Sequence, residues 1–206
     1  MNLAHWKIGT RIAMMASSLL ILFVVLGGFT WRSLSVDAER LNASNDQSRQ
    51  FQLAIDLARG AQVTFKIQVQ EWKNFLLRGG DSEAYAKYKK GFFKEGEETQ
   101  AKLKQLKALM LEMNLPLNGV DEALASHDKL LGKYTEAMSH YDVANADASA
   151  HALDKMVKGI DRAPTAQIDT IVAEVLKASS QRHDETEVIT HAGYKQSLWM
   201  LSGLMV

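Results

Sequence analysis

Residues Ile12 to Trp31 read IAMMASSLLILFVVLGGFTW, twenty consecutive positions without a charge. At about 1.5 Å per residue a helix of this run is about 30 Å long, the thickness of a bilayer hydrocarbon core. Lys7 and Arg11 precede it, which predicts a cytoplasmic tail over residues 1–11. Trp6 and Trp31 flank the run as interfacial rings do. A cleaved signal peptide is the alternative. Its apolar region is usually shorter, and Val36-Asp37-Ala38, which would pass as a cleavage site, lies several polar residues too far on. The run therefore predicts a first transmembrane helix over 12–31.

The far end of the chain turns apolar again at Leu198, within AGYKQSLWMLSGLMV, with Trp199 at an interfacial position. Residues 196–206 are expected to begin a second transmembrane helix, and an apolar tail packed on a soluble core is the alternative. Residues 32–195 then form an extracytoplasmic domain between the two spans.

That domain reads as all-α. The sequence has two prolines in 206 residues and is rich in good helix formers. Lys plus Arg and Asp plus Glu both number 24, so no basic excess exists to neutralise a nucleic acid. The absence of cysteine removes disulfides, thiolate nucleophiles and zinc–cysteine sites. No nucleophile elbow, phosphate loop or paired carboxylate stands out, so neither an enzyme nor a cofactor is expected. His183, Glu187 and His191 have metal-ligand spacing but no flanking support, and no metal site is predicted.

Helical periodicity divides the domain into four helices, about 32–78, 82–113, 117–144 and 148–195. The first shows a seam of Phe51, Ile55, Ala58, Gln62, Phe65, Val69, Trp72 and Leu76, and is expected to continue from the membrane span without a break. Gly79-Gly80 should cap its end, and Asp81 or Ser82 should start the second helix. The third has a seam that includes His127 and Tyr141, and Pro164 should kink or break the fourth. The first and fourth helices come to about 70 Å and about 67 Å, the middle two to about 48 Å and about 42 Å. Two long helices continuous with transmembrane segments and a shorter hairpin against their far halves make an antiparallel up-down-up-down four-helix bundle.

This topology places QVQEWKNFLLRGG, residues 68–80, at the membrane-distal tip. Lys73, Asn74 and Arg78 gather there with Tyr141 of the third helix and Lys158 and Arg162 of the fourth. Such a cluster suits a planar carboxylate held by an arginine fork. Arg59, Lys66 and Lys73 recur every seven residues on one helix face. They read either as an anion-lined dimer interface or as a solvated flank beside the seam. Trp72 reads as core, and Gln62 and His127 as seam residues that fix register or take one hydrogen bond.

The 12–31 span, the stretch QVQEWKNFLLRGGDSEAYAKYKKGF, the segment VKGIDRAPT and the apolar run at 198 together resemble the sensory half of bacterial methyl-accepting chemotaxis receptors of the aspartate-receptor type. The string EWKNFLLRG is similar to one found in many proteobacterial receptors of this kind. The resemblance implies a homodimeric protein of the bacterial inner membrane whose residues 32–195 form a periplasmic four-helix-bundle sensor domain. In it a small solute binds at the distal dimer interface, between the first helix of one subunit and the first and fourth of the other, and signals to cytoplasmic partners. Carried over by position, the ligand-binding residues are Lys66, Lys73, Asn74 and Arg78, with Arg162 and Thr165. Organic acids or amino acids are the ligand class implied. The same input domain also fits a sensor histidine kinase or a diguanylate cyclase, and a membrane-anchored protein-interaction module is the remaining alternative.

Overall fold

Contacts between distant residues fix the direction of each helix in the computed structural model. The model describes the backbone of residues 7–203 and, among those, all side chains except 196–198 and 200–203. Trp6 and most of the apolar run from Leu198 to Val206 lie outside the described side chains. The elements are α1 (Ile8–Arg78), α2 (Ser82–Glu112), α3 (Asn118–Ser139), a single 3-10 turn at Val143–Asn145, α4 (Ala146–Val157) and α5 (Arg162–Gly203). No strand occurs among the described residues. The chain divides into two units, Met1–Gln47 and Ser48–Val206.

In the first unit α1 has almost no buried surface. Ile12, Leu20, Phe23, Val24 and Trp31 are all exposed. Among the described residues α1 is the one helix long and apolar enough to cross a membrane, and no residue of its apolar window is buried.

The second unit is a helical bundle. Thr99 of α2 donates its hydroxyl to Thr64 of α1 at 2.9 Å. Further along, Trp72 meets Phe92 and Phe75 meets Tyr85 at ring separations of 6.2 and 5.1 Å. Numbers rise on α1 as they fall on α2, so the two are antiparallel. Gln68 pairs with His127 and Trp72 with Tyr134, so α1 and α3 run the same way. On α5, Asp169 accepts from Gln62 at 2.6 Å, and Gln167 accepts from Ser126 of α3, which makes α5 antiparallel to both. Ser149 bonds back to the Asp142 backbone and Asp154, further along, acts on Tyr134 of α3, so α4 also runs antiparallel to α3. The order is up-down-up-down, with α4 and α5 sharing the fourth arm.

The core seam of α1 is Phe51, Ala54, Ala58, Ala61, Phe65, Gln68, Trp72 and Phe75. It differs at every second step from the expected one: Ile55, Val69 and Leu76 only flank the core, and Gln62 reaches out to Asp169. The reason is close approach. Alanines at 54 and 61 let neighbouring helices come near, and the amide oxygen of Gln68, inside the core, is hydrogen-bonded by His127.

Helix ends also differ from expectation. Neither Gly79 nor Gly80 adopts a left-handed conformation. Gly79 is needed for space, since a Cβ there would lie 2.5 Å from the Phe75 carbonyl oxygen and 2.8 Å from the Tyr141 hydroxyl. The left-handed cap belongs to α2, where Asn114 has φ 54° and Leu115 N–H closes back on Met110 at 2.8 Å. Asp81 starts α2 by accepting from Ala84 N–H at 2.8 Å. α3 stops at Ser139, so Tyr141 stands in the turn after the helix.

The fourth arm is two helices. Pro164 does not break it; the proline sits buried in the first turn of α5, where a missing N–H costs nothing. The break is at Gly159, with φ +77°. Gly159→Ala should cost about 1 kcal/mol, because a Cβ there has room but disfavours this backbone. Gly132→Ala, in the open interior of α3, should gain up to about 1 kcal/mol. Denaturant midpoints of the two variants, moving in opposite directions, check this.

Candidate functional site

The sequence-predicted residues fall into three groups. Lys66 and Lys73 are exposed on α1, and Asn74 beside them is half-buried and accepts weakly from Gln70 at 3.5 Å. At the end of α1, Arg78 donates to the Tyr88 hydroxyl at 2.7 Å and lies 5.7 Å from that ring's centre. Tyr141 packs on Phe75 and Tyr85 at 4.9 and 5.4 Å. Its hydroxyl oxygen is buried without a hydrogen-bond partner, and burial followed by the neighbouring Tyr85 pushes its pKa up. Arg78 and Tyr141 thus flank one aromatic tip.

Lys158, Arg162 and Thr165 form the third group, at the joint between α4 and α5. Lys158 and Arg162 are exposed. Thr165 spends its hydroxyl on the Asp161 carbonyl at 2.7 Å. Asp154 and Asp161 temper the positive charge here. Both act on Tyr134, whose hydroxyl is pushed well above its ordinary range, first by burial and then by these two carboxylates. No contact joins this group to Arg78 within the chain's described hydrogen bonds and ion pairs.

α1 carries a second apolar stripe on its outer side. Leu53, Val63, Ile67 and Leu77 are 52%, 53%, 41% and 81% exposed, with Gln70 and Asn74 between the last two. From Val63 through Ile67, Gln70 and Asn74 to Leu77 the spacing keeps to threes and fours, the signature of a helix face that packs against another helix, and Leu53 lies ten residues earlier. Lys66 and Lys73 lie next to this stripe in sequence.

Sequence reasoning missed a buried polar layer across α1, α2 and α3. His127 is fully buried and was flagged only as a seam residue taking one bond. It holds two. Its Nε2 donates to Gln68 Oε1 at 2.8 Å, and its Nδ1 accepts from Gln100 Nε2 at 3.0 Å. Gln100 Nε2 also donates to the Leu124 carbonyl at 3.2 Å. Gly96 leaves room for the Gln68 amide, since a Cβ there would fall 2.5 Å from Gln68 Nε2. Burial lowers the His127 pKa to about 4, with Asp128 pulling the other way. Glutamines recurring within apolar stripes were the available signal.

His183, Glu187 and His191 are exposed on α5. Among the described residues no three His, Asp or Glu side chains gather to hold a metal ion.

No protein-family model matches the chain, and no solved structure matches it. Over 126 residues, 61% of its length, the chain is 37% identical to the methyl-accepting chemotaxis protein CtpH of Pseudomonas aeruginosa. The match covers 22% of that protein. An all-α bundle, a long apolar N-terminal helix and this similarity together support a protein related to the methyl-accepting chemotaxis receptors.

Proposed function

We propose that the chain is the sensory module of a transmembrane chemoreceptor of the aspartate-receptor type. Its bundle lies in the periplasm and binds a small anionic solute, an organic acid or amino acid. The observation that carries this reading is the unpartnered apolar stripe of α1 with cations beside it. A second copy packed along that stripe would bring Lys66 and Lys73 of two chains to one seam. The isolated chain leaves its candidate cations in three separate groups, and pairing supplies the convergence that a carboxylate needs. Binding would then bias the position of α5, the helix that leads toward the second apolar run. Displacements of about 1–2 Å along such a helix are enough to switch a receptor.

The test uses the 206-residue chain in lipid nanodiscs with a panel of carboxylates, amino acids and uncharged solutes. A cognate anion at about 100 times its Kd should stabilise the bundle by about 2.7 kcal/mol. Lys73→Ala should abolish that shift while leaving the unliganded melt unchanged, and Ile67→Asp should abolish both the shift and the dimer. A response to uncharged solutes alone, or an unaltered response in Ile67→Asp, would overturn the reading.

A further inference from the structure

His127 sits where the bundle gives each of its nitrogens a fixed role. Gln68 Oε1 can only accept, so the imidazole carries its hydrogen on Nε2. Both hydrogens of the Gln100 amide nitrogen are spent, one on the Leu124 carbonyl and one on His127 Nδ1. The carbonyl holds that amide in place: turning it over would set its oxygen against the Leu124 oxygen. Nδ1 must therefore stay an acceptor. Gln68 offers no relief, because the other half of its amide is a donor that lies buried without a partner.

We propose that the Gln68–His127–Gln100 layer is an acid-operated latch: a proton added to His127 finds a donor where it needs an acceptor, and α2 is released there from α3. The surroundings offer a proton little else. α1 presents Phe65, edge to face with ring centres 5.4 Å apart, and Gln68; α2 presents Gln100. None of these titrates. The charged group that acts on the imidazole is Asp128, on α3 itself; none from α1, α2 or α5 does so. Burial outweighs Asp128 and keeps the ring neutral until the medium is distinctly acidic. The latch adds a second input, acidity, to the bundle, and it stands whatever solute the tip takes.

The decisive experiment is nitrogen NMR of the histidines, together with amide hydrogen exchange, on the full chain in nanodiscs between pH 7 and 3.5. His127 should remain a neutral Nε2–H tautomer above pH 5 and titrate near pH 4. Corrected for intrinsic rates, protection of the amides around Gln100 and His127 should fall by roughly tenfold in step with that titration. Gln100→Glu supplies a carboxylate acceptor opposite Nδ1 and should raise the titration by about one to three units. Titration of the parent near its ordinary value, or charging without loss of protection, would overturn the latch. So would a Gln100→Glu variant whose His127 titrates at the parent's pH.

Discussion

Trp72→Ala is expected to lower the unfolding free energy by about 3–5 kcal/mol, the range for emptying a large aromatic site in a packed core. Trp72 is 3% exposed and joins three rings from three elements: Tyr134 at 4.5 Å, Phe75 at 5.5 Å and Phe92 at 6.2 Å. No nearby side chain is free to fill the space, because Phe75 is itself clamped by Tyr85 and Tyr141. Lys73→Ala, one residue on but exposed, should stay within about 0.5 kcal/mol of the parent. Guanidinium unfolding followed by circular dichroism separates the two. Near-equal losses would mean that the aromatic tip contributes far less than its burial implies.

Acid should cost the bundle about 3 kcal/mol between pH 6.5 and 4 through His127 alone. The ordinary histidine value is 6.5 and the buried ring titrates at about 4. Between these values the unfolded chain binds a proton that the folded chain refuses, so stability rises with pH across this window. The contribution is complete above pH 6.5 and is lost as pH falls to about 4, at about 1.36 kcal/mol per unit. A His127→Gln chain should lack this slope, and the difference between the two pH–stability curves isolates it. At the alkaline end the sign reverses. Tyr134, with its pKa raised above the ordinary 10.0, contributes stability that is whole below that pH and lost above it.

Much of this bundle could be read from the chain. Periodicity located the helical stretches, and Asp81, a short oxygen-bearing side chain ahead of an apolar run, marked the start of α2. What stayed hidden depends on neighbours. Ile55, Val69 and Leu76 are more apolar than Ala54, Ala61 and Gln68, yet the smaller or polar set faces inward. Helix spacing and a distant histidine decide that, and neither is local. Gly79-Gly80 looked like a left-handed cap because glycine favours one, whereas the tyrosine ring 62 positions later explains the missing side chain at Gly79. Pro164 likewise drew the break toward itself, although a first-turn proline is harmless and the left-handed Gly159 lies five residues earlier. At the candidate site, residue types could be read but not their company: Arg78 meets Tyr88, while Arg162 lies beside Gly159.

The joint at Gly159 bears on how α5 can turn. Only short i to i−3 bonds, Ile160 to Val157 and Arg162 to Gly159, bridge it, and no helical ladder runs through. Torque applied to α5 about its long axis is therefore absorbed at this swivel before it winds α4. The short helix stays pinned by Ser149 to the turn that follows α3 while the long one spins as a separate shaft, and a lever of that kind transmits sliding more faithfully than twist.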